Sequence, residues 1–422
     1  MRFLALAGSL GVPLVLWLAP LAGQSPPGAA APVTFNRDVA PILYARCTSC
    51  HRPGQMAPMS LLTYEAARPW ARSIRRAVGE RRMPPWFADP HVGRFSNDSS
   101  LSDREIDVLT RWVDGGAPQG EPADLPPAPQ YNDGWRIGTP DLVVSMAQPF
   151  GLPASGIVEY QYFEIPTRLT EDRWLQAVEI RPSNRRAVHH ALLFALGPND
   201  VPPRDVGGTK CAGAVCGEID TVDLKFGSMI TVAALGSTPD VYPAGTAKLV
   251  KAGSVLTLQV HYTTVGEATS DQTSIGLIFA KEPPKTELQT VALSKEGFVI
   301  PPRAPKHTIA ATMEFQSDAT VWSIAPHSHL RGVTWRVDVV SPGGRPRPLL
   351  SVPKYDFNWQ LNYMLDPLLD VRKGTRILAE AVYDNSAANR HNPDPNVEVR
   401  YGGQTTDEMM FAWIVYSTRK QS

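Results

Sequence analysis

The sequence predicts a multidomain fold: a small all-α domain followed by two all-β sandwich, jelly-roll-like domains. Three observations carry that prediction. Residues 33–120 contain apolar positions at helical spacing, and a proline-rich run follows them. Beyond it, β-branched and aromatic runs recur between Gly, Pro and Asn clusters, with no long amphipathic helix. The chain has 422 residues, and a prior of roughly 150 residues per domain allows two to three domains.

At the N-terminus, Arg2 precedes an apolar run from Phe3 to Ala22 that is interrupted by Pro13 and Pro20 and ends in small residues. This pattern predicts a secretory signal over residues 1–23 and a periplasmic or otherwise extracytoplasmic protein. No cysteine stands at the cleavage site, and no later segment is apolar enough to span a bilayer. No stable membrane insertion is expected after cleavage.

In the predicted helical domain, residues 33–120, Asn36 is placed to cap a helix through Val39, Ile42 and Leu43. Trp70, Ile74 and Val78 form one stripe that stops at Gly79. Ser102 and Glu105 form a capping box opening a third helix, with Ile106, Leu109 and Val113 facing inward and Gly115-Gly116 ending it. Residues 121–139 read as a semi-rigid Pro-rich linker. Strand-like runs recur at Val255 to Tyr262, Ile275 to Phe279, Trp335 to Val340 and Phe411 to Tyr416, and this all-β region is too long for one sandwich. The division is expected near Pro283-Pro284, giving β-domains over 140–284 and 285–422.

Basic and acidic side chains balance at 41 each, so no global field favours nucleic acid, and the partner is small or specific. Of the four cysteines, Cys211 and Cys216 fit a disulfide in an oxidising compartment, a local staple contributing about 2 kcal/mol.

Cys47 and Cys50 belong to Cys47-Thr48-Ser49-Cys50-His51, the spacing of a covalent c-type haem site. Each thiol adds across one haem vinyl group, and the adjacent imidazole becomes the proximal ligand. A disulfide or half a zinc site is the other use of Cys-x-x-Cys, but no second Cys pair at zinc spacing follows. The predicted helical domain is therefore read as cytochrome c-like. Met83, in Arg82-Met83-Pro84-Pro85-Trp86, is the expected sixth ligand, with Met56 and Met59 as rivals too close to the attachment site. Arg68, Arg72, Arg75, Arg76, Arg81 and Arg82 read as a solvated face, with one or two guanidinium groups near the haem propionates.

The nine histidines, His51 among them, are unevenly placed. His189-His190 lies in a strand-like run, and His261 ends another in which Thr257, Gln259 and His261 share one face. His327 and His329 project from one side of an extended segment. One strand histidine alone is ordinarily a hydrogen-bonded structural residue. Three groups, including His-His and His-x-His, point to metal. His91, His307 and His391 lack such pairing.

The runs Val188 to Phe194, Leu258 to Tyr262, His327-Ser328-His329-Leu330 with Gly332, and Asp407-Glu408-Met409 resemble, in order and spacing, the copper type II ascorbate-dependent monooxygenases. The likeness covers roughly residues 140 to 420. It implies that His189, His190 and His261 ligate an electron-storing copper. It also implies that His327, His329 and Met409 form the oxygen-activating, catalytic copper centre, the two facing each other across an open, solvent-filled cleft. A thioether ligand suits Cu(I). The expected cofactors are covalent haem c on Cys47, Cys50, His51 and Met83, two copper ions, and ascorbate or another external reductant. The expected partners are a small organic substrate, O2 and a periplasmic electron donor. The expected reaction is C–H hydroxylation, with the haem feeding electrons to the first copper. Peptide-hydroxylating members carry an Arg and an Asn where this chain has Ala325 and Phe411, so the cleft is expected to take something more apolar than a peptide carboxylate. The competing readings are a non-enzymatic electron-transfer or copper-binding protein and a zinc hydrolase.

Overall fold

The computed structural model describes residues 31–55, 57–131, 134–198, 209–211, 214–216, 229–234 and 238–418. The expected signal segment lies outside these residues, as does Met56. The side chains of Cys211 and Cys216, and with them the expected disulfide, also lie outside. Among the described residues no helix is long and apolar enough to cross a membrane.

The chain is multidomain and mostly β, with few helices. These are α1 (Ala40–Arg46), α2 (Tyr64–Ala67), α3 (Ala71–Gly79) and α4 (Asp103–Asp114). Asn36 does not cap α1. A π-helical turn at Phe35–Val39 precedes α1, and the buried Asn36 amide instead donates to the carbonyls of Gly120 (3.3 Å) and Glu121 (2.8 Å). A buried amide must find partners, and here it ties the start of the unit to its end. α3 buries Ala71, Ile74 and Val78, whereas Trp70 sits at its N-cap, outside the helical stripe, and is 40% exposed.

The capping box of α4 forms in full. The Glu105 N–H donates to Ser102 Oγ (3.2 Å) and the Ser102 N–H to Glu105 Oε2 (2.7 Å). The residues it buries are Leu109 and Trp112, with Ile106 and Val113 half-buried at the edge. Trp112 fills the centre between Phe35, Leu43 and Leu109 and donates its indole N–H to the Pro118 carbonyl (3.0 Å).

The first β-unit pairs two sheets. One runs Leu142–Ser145, Ser274–Phe279, Arg173–Arg181, Thr246–Val250 and Thr286–Glu287 in spatial order. The other contains Gln161–Pro166, Val255–Tyr262, Val188–Leu196 and Met229–Ala234 as successive neighbours. Leu175, Val178 and Ile275 of the first sheet meet Phe163, Leu193 and Leu258 of the second in one core, the arrangement of a sandwich. The second β-unit repeats this. The sheet Gln289–Ser294, Phe411–Thr418, Ala319–His327, Tyr363–Val371 packs on the sheet His307–Glu314, Arg376–Tyr383, Gly332–Val340, Arg347–Val352. Val321, Ile324 and Ile414 meet Trp335, Val337 and Ala379 between them.

The two units share a further apolar cluster: Leu192, Phe194 and Met229 from the first, Met409, Phe411 and Trp413 from the second. Its position explains an otherwise odd burial. Along Val255–Tyr262, Leu256, Leu258 and Val260 point into the sandwich, yet Thr257, Gln259 and His261 on the opposite face are buried too. That outer face is covered by the second unit.

The helical unit is docked on the rest. Phe95 bridges to Leu365, Asn97 exchanges hydrogen bonds with Asn362 and Met364, and the Trp86 ring meets Tyr363 edge-on at 5.0 Å. The Pro-rich segment also packs back. Tyr131 hydrogen-bonds Thr48 of the Cys-x-x-Cys-His run, and the Arg52 guanidinium stacks over its ring at 4.1 Å.

Candidate metal centre

The first histidine group depends on an irregularity in the sheet. Consecutive strand residues point to opposite faces, so His189 and His190 would ordinarily diverge. His261 pairs with His190, but the register then shifts and Tyr262 pairs with Val188. This bulge re-aims His189 so that both imidazoles converge on His261. The candidate ligand atoms of the three lie within 4.8 Å of one another. The Nδ1 atoms of His189 and His190 are 3.0 Å apart. Two nitrogens bonded to one metal at about 2.0 Å each stand about 3 Å apart when the bond angle is near 100°.

Buried nitrogens without partners remain at His189 Nε2, His190 Nε2 and His261 Nδ1. Burial holds all three rings neutral: His261 is pushed down to about 3, with His189 and His327 adding to the effect, and His190 lies well below its ordinary value. Neutral imidazoles, with His189 and His190 converging through Nδ1 and His261 offering its unpartnered Nδ1, fit a copper ion.

The second group sits where a strand ends. His327 closes Ala319–His327 and His329 follows in the turn before Gly332. The Glu408 carboxylate holds that turn, accepting the N–H of His329 (2.8 Å) and of Arg331 (2.6 Å). Burial pushes Glu408 up to about 8, against those two donors and the Arg331 guanidinium, which favour its anion. Ser328 is held by the Tyr355 hydroxyl on its backbone and by Trp335 and Tyr383 on its side chain. A Cβ at position 332 would come 2.5 Å from Ser328 Cβ, which explains glycine there. His329 Nδ1–H donates to the Asp407 carbonyl (3.2 Å), leaving Nε2 buried and unpartnered. His327 Nδ1–H donates to Gln360 Oε1 (2.6 Å), so its Nε2 carries the lone pair. Burial lowers both rings, His327 to about 4.

Met409 lies two residues from Phe411, which pairs with His327, and its side chain is buried in the cluster between the two β-units. Its carbonyl accepts the Tyr383 hydroxyl (2.7 Å). His307 opens the strand His307–Glu314 and pairs with Tyr383, and His91 and His391 are exposed.

The two groups are not separated by an open cleft. The rings of His190 and His327 are 6.1 Å apart, and Gln360 Nε2 comes within 3.4 Å of His190 Nδ1. The segment between Arg347–Val352 and Tyr363–Val371 fills the space: Phe357 stacks on His189 at 5.0 Å and faces His261 and His329. Tyr160 covers the other side, 4.8 Å from the His261 ring and 6.3 Å from His329. Sequence reading missed Gln360, Phe357, Tyr160 and the structural part played by Glu408. Only Glu408, beside Met409, carried a local signal.

Cys47, Cys50, His51 and Met83 line one cavity of about 570 Å3, within the roughly 300–1,000 Å3 range of cofactor pockets. Met364 and Trp359 of the second β-unit and Val232 of the first complete its wall, as do Ala325 and Gln360. Both thiols are free, burial pushes the Cys47 thiol up to about 12, and His51 Nδ1 is buried without a partner. These residues fit a covalently held haem. A smaller cavity of about 90 Å3 has Ser49 and Cys50 on one wall and Val188 and His189 on another. Arg68 and its neighbours do not line the large cavity, because their groups find surface partners such as Asp114 for Arg75 and Asp103 for Arg81. Arg46, Arg185 and Arg186 line it instead.

Comparison with known proteins bears on the β-half. A 24% identical relative, "Putative DBH-like monooxygenase protein 2" of Homo sapiens, aligns over 253 residues, 55% of this chain and 47% of that protein. The chain thus spans about half the length of the curated relative it matches. Among solved structures, the major capsid protein P2 of bacteriophage PM2 is 9% identical, with a TM-score of 0.25, covering 66% of this chain and 98% of that one. The VP2 subviral particle of infectious bursal disease virus is 12% identical, with a TM-score of 0.18, covering 69% of this chain and 74% of that one. Likeness at such scores carries no argument. Residues 288–422, the second β-unit with His327, His329 and Met409, match the family model of the copper type II ascorbate-dependent monooxygenase, C-terminal domain.

Proposed function

We propose that this chain is a haem-fed dicopper monooxygenase that hydroxylates a C–H bond of a small organic substrate with O2. The observation that carries this reading is the convergence of five buried, neutral histidines from two β-units beside the cavity that holds Cys47, Cys50 and His51.

His189, His190 and His261 would hold one copper, and His327, His329 and Met409 the other. Cys47 and Cys50 would attach the haem, with His51 and Met83 as its axial ligands. When bound, the coppers supply electron storage and oxygen activation, and the haem supplies electrons one at a time. The overall reaction consumes two electrons and two protons with R–H and O2, giving R–OH and water.

The residues have distinct tasks. The Gln360 and Asp407 carbonyls fix the Nδ1–H tautomers of His327 and His329. Glu408 and Tyr355 hold the turn that aims those rings. Phe357 and Tyr160 exclude water from around the histidines. The small cavity shared by Cys50 and His189 supports electron entry at the first group. Ala325 and Phe411, both at the apolar cluster between the two β-units, support an apolar substrate.

An extracytoplasmic site, with a periplasmic donor or ascorbate as electron source, follows from the signal-like N-terminus and the haem motif. The test is oxygen uptake by the reduced protein during a substrate screen, with Met409→Ala alongside the unaltered chain. Substrate-dependent uptake that collapses in the variant while haem reduction persists is expected. No substrate-dependent uptake in the copper-loaded unaltered protein would favour an electron carrier instead.

A further inference from the structure

The cavity that carries the Cys-x-x-Cys-His residues has a cationic side contributed by the first β-unit. Arg185 and Arg186 lie in the loop between Arg173–Arg181 and Val188–Leu196, four and three residues before His189. Arg186 is exposed and pairs with Glu267 at 3.5 Å, and Arg46 pairs with Glu105 at 3.3 Å. Arg185 is half-buried and makes no hydrogen bond or ion pair among the described residues. It lines both the 570 Å3 cavity and the 90 Å3 cavity.

Three of its neighbours add positive charge, and one acidic group, Glu179, acts against them. Arg52, Arg136 and Arg181 all act on it repulsively. Arg52 Nε is buried without a partner. Glu179 is the acidic group acting on Arg185, and its Oε2 already accepts the backbone N–H groups of Arg136 (2.6 Å) and Ile137 (3.3 Å). Asp240 on the wall is engaged by Thr231 and Lys248. A half-buried guanidinium with no hydrogen-bonded acceptor, facing three like charges and one carboxylate, has room for a further anion on the cavity side.

The geometry points to Arg185 as a binding residue for a haem propionate, so that the haem is held between the helical unit and the first β-unit. This rests on the haem reading above. A carboxylate accepts two parallel N–H bonds from a guanidinium. Arg185 would then tie the position of the haem edge to the strand that presents His189 and His190, which sets the electron path geometrically.

The test uses the full, haem-loaded chain with Arg185→Gln and Arg185→Lys. Haem content is measured by pyridine haemochromogen and the midpoint potential by spectroelectrochemistry across acid to neutral pH. Removing the cation favours the ferric state, so Arg185→Gln should lower the reduced-to-oxidised ratio about tenfold at fixed solution potential, which is about 59 mV for one electron. Its potential should also gain a pH dependence, because a propionate no longer held ionised titrates higher. Arg185→Lys keeps the charge but loses the fork, and should shift the potential part of the way in the same direction. Either variant with full haem content and the potential and pH profile of the unaltered protein overturns the assignment. Absence of covalent haem from the unaltered protein defeats the haem reading itself, which is a separate result.

Discussion

Replacing Glu408 with glutamine should weaken the second histidine group without touching the first. Glu408 is fully buried and accepts two short backbone hydrogen bonds, from His329 at 2.8 Å and Arg331 at 2.6 Å. Those two N–H groups define the turn that turns His329 away from the strand direction of His327. An amide has one acceptor oxygen, so its NH2 group would confront one of the two donors. Above pH 8, where Glu408 is ionised, hydrogen bonds to it contribute about 1.5–3 kcal/mol each, so unfolding is followed there. The variant loses one and weakens the other, and it removes one of the three carboxylates, with Asp407 and Asp394, that act on Arg331, which is 1% exposed. A cost of about 2–4 kcal/mol is expected, from one buried hydrogen bond lost and one weakened. The assay is urea unfolding followed by tryptophan fluorescence, with copper titration of the folded protein. Copper capacity should fall by the His327–His329 share while the three-histidine group still loads. An unchanged urea midpoint together with unchanged copper capacity would refute the role given to Glu408.

Lys248 is 5% exposed in the first β-unit, and burial pushes its pKa down to about 8 from an ordinary 10.5. In that window the unfolded chain binds more protons, so stability should rise from pH 8 towards 10, by up to about 3 kcal/mol in total; Lys248→Met should flatten that slope in urea titrations. Above pH 10 the buried tyrosines Tyr162 and Tyr363, raised by burial, oppose the gain. Gly332→Ala places a Cβ 2.5 Å from Ser328 Cβ, so a cost of about 1–3 kcal/mol and loss of the second copper are expected in unfolding and metal-binding assays. Trp112→Ala empties the centre of the helical unit, where the ring is fully buried, and should cost about 3–5 kcal/mol in the unfolding step reported by circular dichroism at helical wavelengths.

Local chemistry was readable from the sequence where one short segment decides it. The Ser102–Glu105 box, the Ala71–Gly79 stripe and the inward faces of Leu256, Leu258 and Val260 each follow from spacing alone. Asn36 and Trp70 show where that reasoning stops, since a polar side chain close to a helix start took a tertiary partner and an aromatic fell one residue outside its helix. The histidines were visible as pairs, but what joins them was not. The bulge beyond His261 depends on how two strands distant in sequence align. Gln360 and Phe357 come from a loop with no motif, and Tyr160 from a segment that precedes its strand. Arg185 went unnoticed for the same reason: its proximity to Cys50 exists only after the helical unit docks.

Metal and haem stoichiometry of the purified full-length chain tests the central claim most directly. The protein should carry one covalent haem by pyridine haemochromogen and bind two copper ions, with His261→Ala losing one copper and His329→Ala the other. A chain that binds no copper under either oxidising or reducing conditions would contradict it.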